Sequence, residues 1–186
     1  MQIDMEPTPN PATVKFRPHQ PVMADGTRDF ATPEDAEGSP LADALFGLGD
    51  VEGVFFGSDF VSVTKAPGSD WPMLKPQVLS VLLDHFASGA PLFDQSAAPA
   101  PLESFPVAPE DEDIVAQIAE LIDTRVRPAV AADGGDIILR GFDKGTVYLT
   151  MQGACAGCPS STMTLKQGVE QLLKYYVPEV IEVRAA

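Results

Sequence analysis

Two periods of apolar residues alternate along this chain, and the points where one gives way to the other mark its elements. Thr13-Val14-Lys15-Phe16 and Pro21-Val22-Met23 are short strand candidates, with Asp25-Gly26 as a turn. Ser39-Pro40-Leu41 supplies an N-cap followed by proline at the first helical position, which opens a short helix to about Leu48. Val51 to Phe56 and Phe60 to Thr64 flank the turn residues Gly57-Ser58-Asp59 and predict a hairpin, with Phe55, Phe56 and Phe60 as core candidates. Leu74, Val78, Val81 and Leu82 then share one face of a helix from about Pro72 to Ala87, and Gly89 supplies its stop.

From Pro91 to Glu110 alanine, proline and acidic residues dominate and no period persists, which reads as a semi-extended spacer. Beyond it, Ile114, Ile118, Leu121 and Ile122 predict a helix near 112–126, which Pro128 should end or kink by removing a donor and crowding the preceding turn. Asp133-Gly134-Gly135-Asp136 reads as a tight turn into a strand from Ile137 to Phe142. Asp143-Lys144-Gly145 then reverses the chain into the alternating strand Thr146 to Met151. Leu165, Val169, Leu172, Leu173 and Tyr176 recur at helical spacing, and Val180 to Val183 closes the chain as a last short strand. The fold class expected is α+β: two small α+β domains, 1–89 and 111–186, joined by an Ala/Pro-rich acidic linker over 90–110.

Composition narrows the partners. With 12 Lys and Arg against 27 Asp and Glu, the formal charge is −15, which repels nucleic-acid phosphates and anionic lipid. No run approaches the roughly 18 apolar residues that cross a bilayer, so no membrane role is expected. The amino terminus is acidic and lacks the basic and apolar segments of an export or transit signal. Two cysteines without an export signal argue against a structural disulfide. A cytoplasmic protein, or the mature form of an organellar one, fits these features.

The two cysteines, Cys155 and Cys158, lie in Gly153-Ala154-Cys155-Ala156-Gly157-Cys158-Pro159, between the strand pattern and the helix pattern. Pro159 suits the first position of a helix, which leaves Cys158 near its N-cap and Cys155 in the preceding loop. Amide donors and the positive end of the helix dipole there favour thiolate over thiol. Gly153 and Gly157 permit close approach, and Ala154 and Ala156 keep the loop small and apolar, as a bulky anionic cluster requires. Both sulfurs can reach one metal or one cluster. They make only half of the four-thiolate shell that iron–sulfur clusters usually take, and a second copy of the chain is the simplest source of the rest. Three other readings stand beside this one: inert structural thiols, a thioredoxin-like dithiol, and zinc shared between subunits. Against the dithiol, only 28 residues follow the motif, enough for one helix and one short strand.

Other candidates are quieter. Turn chemistry accounts for Asp133-Gly134-Gly135-Asp136 without a metal, and His19 and His85 are isolated. Trp71, just before Pro72, is expected either to anchor the start of its helix or to belong to a docking surface. No nucleophile–base–acid set, phosphate loop or paired carboxylates stand out, so enzymatic turnover is not expected.

Taken together, Val126-Arg127-Pro128, Asp133-Gly134-Gly135-Asp136-Ile137 and Gly153-Ala154-Cys155-Ala156-Gly157-Cys158-Pro159-Ser160-Ser161 resemble the NifU-like carboxy-terminal domain of the Nfu family. Residues 1–89 resemble that family's amino-terminal domain through Glu6-Pro7-Thr8-Pro9-Asn10-Pro11, Ser39-Pro40-Leu41-Ala42, Gly53-Val54-Phe55-Phe56-Gly57 and Asp70-Trp71. The resemblance implies a non-enzymatic iron–sulfur cluster scaffold or carrier. It implies a 4Fe-4S cluster shared between two subunits of a homodimer, with Cys155 and Cys158 as each subunit's ligands. A 2Fe-2S centre would take the same four thiolates. The implied partners are apo iron–sulfur client proteins and an upstream assembly scaffold, met through residues 1–89. Both cysteines are expected on an exposed loop, within reach of a second subunit and of acceptors.

Overall fold

The computed structural model describes residues 1–94, 105–157 and 159–186, the last of these at side-chain level from Thr162. The chain divides into two units, Met1–Ala100 and Pro101–Ala186.

The first unit is built on a five-stranded antiparallel sheet. In chain order its strands are β1 (Asp4–Pro7), β2 (Thr13–Arg17), β3 (Arg28–Phe30), β4 (Val51–Phe56) and β5 (Val61–Lys65). They lie side by side in the order β1-β2-β5-β4-β3. Helices α1 (Pro40–Phe46) and α2 (Trp71–Ser88) supply Leu41, Leu45, Leu74, Val78 and Leu82 to a core with Phe16, Phe30, Val54, Phe56, Val61 and Val63. Local signals place these helices. Ser39 caps α1 by accepting from the Ala42 amide, Pro40 follows it, and Gly89 ends α2 with a φ of 65°. Trp71 anchors the start of α2, donating from its indole N–H to the Pro11 carbonyl at 3.0 Å while its ring packs on the core. The period of two divides the phenylalanines: Phe56 joins the core, whereas Phe55 pairs with Phe60 at 5.9 Å and Lys15 lies over the Phe60 ring.

Three strand assignments differ from expectation. Pro21-Val22-Met23 forms no strand; the Val22 and Met23 amides instead donate to the Ser58 carbonyl at 2.8 and 3.3 Å. The edge strands β1 and β3, rich in charged residues, carry no clear apolar alternation and were not expected. The stretch expected as a spacer begins packed. Leu92 and Phe93 lie against the first core, and Ser39 Oγ donates to the Leu92 carbonyl at 2.8 Å.

In the second unit, α3 (Glu112–Leu121), a π-helical turn (Ile122–Val126) and α4 (Arg127–Ala132) form one continuous helical path. Pro128 neither ends nor breaks it. The wider turn carries the mismatch: the Arg127 amide reaches back five residues to the Ile122 carbonyl, and the proline ring enters where helical bonding is already reset. Strands β6 (Gly135–Asp143) and β7 (Thr146–Gly153) follow as a hairpin whose turn, Lys144-Gly145, has φ values of 47° and 85°. Arg140 is the extra residue of a bulge in β6. Helix α5 (Pro159–Tyr176) then crosses to β8 (Glu182–Ala185), which pairs parallel with β7 and starts two residues later than expected. The core is Ile118, Ile122, Val126, Val130, Ile137, Phe142, Val147, Leu149, Val169, Leu173, Val177, Val180 and Val183, joined by Cys155. Tyr176, expected on the apolar stripe of α5, is 39% exposed and lies beneath the Arg125 guanidinium at 4.9 Å.

Candidate functional site

The site residues cluster where β6 begins and β7 ends. Gly135 and Gly153 face each other in the ladder, and Gly153 leaves the strand with a φ of 66°. The chain then turns through Ala154, whose amide donates to the Gly134 carbonyl at 3.2 Å, and Ala156, whose amide donates to the Gly153 carbonyl at 3.1 Å. Thr162, in the first turn of α5, donates from its hydroxyl to the Cys155 carbonyl at 3.0 Å, tying the loop to the helix.

Cys155 departs from the exposed position expected of it. It is only 4% exposed and belongs to the core, while Ala156 and Gly157 beside it are exposed. The physical reason lies twenty residues earlier. A Cβ placed on Gly135 would stand 2.5 Å from the Gln152 carbonyl oxygen and 3.0 Å from Cys155 Sγ, so the missing side chain leaves the space into which the sulfur folds. Cys158 lies outside the described residues. Among the described residues, no group of three or more His, Cys, Asp and Glu side chains is placed to hold a metal ion.

Two sequence motifs with no evident connection meet at the start of β6. Arg127 grips Asp136 with two parallel bonds, Nε to Oδ1 at 2.9 Å and Nη2 to Oδ2 at 2.8 Å. Asp136 is 3% exposed, and its Oδ1 also accepts from the Ile137 amide at 2.8 Å. The third nitrogen, Nη1, reaches Asp123 in the π-helical turn at 3.0 Å. These carboxylates hold the guanidinium charged well above its ordinary range, the Asp136 bond contributing most. The reading of Asp133-Gly134-Gly135-Asp136 as turn chemistry holds for Gly134, with its φ of 84°, but Asp136 is also the buried half of an ion pair. Nothing in the sequence announces that pairing, because nine positions separate the partners and no helical or strand period relates them.

The histidines stand apart from this site. His19 contacts Asp4 at 2.7 Å, and that bond draws the Asp4 carboxyl below its ordinary value. His85 lines a shallow cavity between α1 and α2 with Pro40, Leu41, Ala44, Val81, Asp84 and Ser88.

The geometry defines a two-unit α+β protein whose second unit carries a thiol at the junction of a β-hairpin and a long helix. The NifU-like domain family matches residues 118–184, and the amino-terminal domain family of the scaffold protein Nfu/NifU matches residues 3–89. The human mitochondrial NFU1 iron-sulfur cluster scaffold homolog is 47% identical over 181 residues, covering 97% of this chain and 70% of its own length. NifU-like protein 4 of Arabidopsis thaliana mitochondria is 48% identical over 97% of this chain, and the mitochondrial NFU1 homolog of Drosophila ananassae is 46% identical over the same share. The chain spans 64% and 62% of the lengths of those two proteins. A solution NMR structure of a NifU-like protein from Saccharomyces cerevisiae covers 52% of this chain and 87% of its own at a TM-score of 0.47 and 21% identity. The chain belongs to the Nfu family, with an Nfu-type amino-terminal domain followed by a NifU-like domain. Among the described residues, no helix is long and apolar enough to cross a membrane.

Proposed function

We propose that this chain is an iron–sulfur cluster scaffold and carrier, in which Cys155 and Cys158 supply two thiolates and a second copy supplies the other two. The observation that carries the reading is a thiol set in a glycine-lined loop between β7 and α5, in a chain of the Nfu family with two cysteines in all. The donor set suits the cargo. Thiolate is the usual ligand of iron in these clusters, and the loop around it is small and apolar. A 4Fe-4S cluster is the cargo proposed, and a 2Fe-2S centre would use the same ligands.

Delivery is then ligand exchange: thiolates of an apo-protein replace those of the carrier one at a time, with no net change in electron count. This is stoichiometric handling of a cargo rather than enzymatic turnover. The NifU-like module at 111–186 would hold the cluster, while residues 1–89 recognise apo iron–sulfur clients or an upstream assembly scaffold. The linker at 90–110 would keep donor and acceptor at high effective concentration. Such work needs a compartment that keeps thiols reduced, either the cytoplasm or the interior of an organelle like those of the mitochondrial relatives.

Anaerobic reconstitution followed by Mössbauer spectroscopy and native mass measurement tests the proposal. The expected result is about four irons per two chains, lost in Cys155→Ser and in Cys158→Ser. A full cluster on a single chain would overturn the shared site, and thiol–disulfide exchange by the iron-free protein would replace it with a redox function.

A further inference from the structure

The solvent side of α5 differs from those of α1, α2 and α3. Helices α1, α2 and α3 place Asp43, Asp84, Glu112, Asp113 and Glu120 on their exposed faces. The exposed face of α5 instead carries Met163, Thr164, Gln167, Gly168, Gln171 and Tyr175, and among the described residues of the helix it holds no acid. Met163 and Tyr175 are 65% and 80% exposed. The helix's single carboxylate, Glu170, turns toward β8, where it accepts from the Val183 amide at 3.1 Å and pairs with Lys174 at 2.6 Å.

In the middle of this face stands Gly168, which weakens a helix relative to alanine. Among the described residues nothing demands it. Its φ is not positive, and a Cβ placed there would meet none of their atoms within 4 Å. A glycine that costs helical stability and relieves no internal contact fits a surface approached closely from outside.

We propose that this face of α5 is where two copies of the chain pack in the cluster-bridged dimer, their α5 helices side by side and running in the same direction from the shared site. The inference rests on the shared-cluster reading above. Charge selects the occupant. A chain of net charge −15 repels its own copy, so a self-contact needs a face without acids, whereas an unrelated partner is under no such restriction. Continuity points the same way, because α5 starts directly after Cys158, at the place where the second copy must supply its thiolates. In a twofold arrangement Gly168 faces its own counterpart about 13 Å along the axis from Pro159, so the helices can approach there while their first turns splay around the cluster.

Sedimentation equilibrium of the anaerobically reconstituted protein tests this with Gly168→Gln, which fills the gap, and Gln171→Glu, which adds a like charge. Both variants are expected to weaken the reconstituted dimer about tenfold or more, with the iron-free Gly168→Gln chain melting no lower than wild type. Unchanged dimer affinity would overturn the inference and leave the shared cluster standing. Unchanged affinity with slower hand-off to an apo-protein would assign the face to a client instead. A lower melting temperature of iron-free Gly168→Gln would show that the chain itself needs the glycine, which also overturns it. A cluster-loaded wild-type monomer would remove the shared site and this packing together, and is told apart from the other outcomes by the wild type alone.

Discussion

Gly135 and Cys155 share one small volume, and neither can grow without displacing the other. Gly135→Ala would press a methyl group against the Gln152 carbonyl, which is backbone and cannot rotate away, as well as against Cys155 Sγ. It should cost about 1–3 kcal/mol in the second unit, read by far-UV circular dichroism melts of the iron-free protein. The cysteine was legible in the sequence; its burial was not, because the residue that decides it lies on a neighbouring strand, visible only once β6 and β7 are in register. A second single-residue effect sits in the first unit. Burial of the ring holds His85 below its ordinary value of 6.5 by penalising the charged form. The unfolded chain therefore takes up a proton near pH 6.5 while the folded chain resists it, so this part of the stability is present above that pH and is lost as the pH falls below it. His85→Gln should flatten the fall in stability between about pH 7 and pH 5.5, followed by the fluorescence of Trp71, the chain's one tryptophan.

At the scale of elements, what the sequence announces are the features with local chemistry: the Ser39 cap, the Gly89 stop, the Lys144-Gly145 turn, and the apolar stripes of α2 and α5. What it hides depends on partners. Strands β1 and β3 are held by pairing with β2 and β4 rather than by any apolar period of their own, with Glu6 of β1 bridging to Lys15 and Arg17 of β2. The helical path through Pro128 is hidden for a different reason, since a π-helical turn changes only the backbone register and leaves no side-chain signature. That turn brings Arg127 to Asp136. Arg127→Ala should leave a buried carboxylate uncompensated and destabilise the second unit by about 3 kcal/mol. In urea, the circular dichroism transition of the second unit should move to lower concentration while the Trp71 signal, which reports the first unit, stays in place.

At the scale of the whole molecule, charge opposes self-association. On the proposed function two chains of −15 each come together to complete a four-thiolate shell, against a repulsion that is long-ranged and screened by salt. The reconstituted dimer should therefore tighten several-fold as NaCl rises from about 0.03 M to about 0.5 M, measured by sedimentation equilibrium; weakening over the same range would mean that attractive ion pairs hold the copies together. The burial of Cys155 has a consequence at this scale as well. On the proposed function, loading draws the sulfur out of the hydrophobic interior and unloading lets it return. The empty protein thus competes with iron for its own ligand. Hand-off becomes easier for a reason internal to the donor, whatever acceptor waits: the carrier recoils into a better-packed state once its cargo has gone.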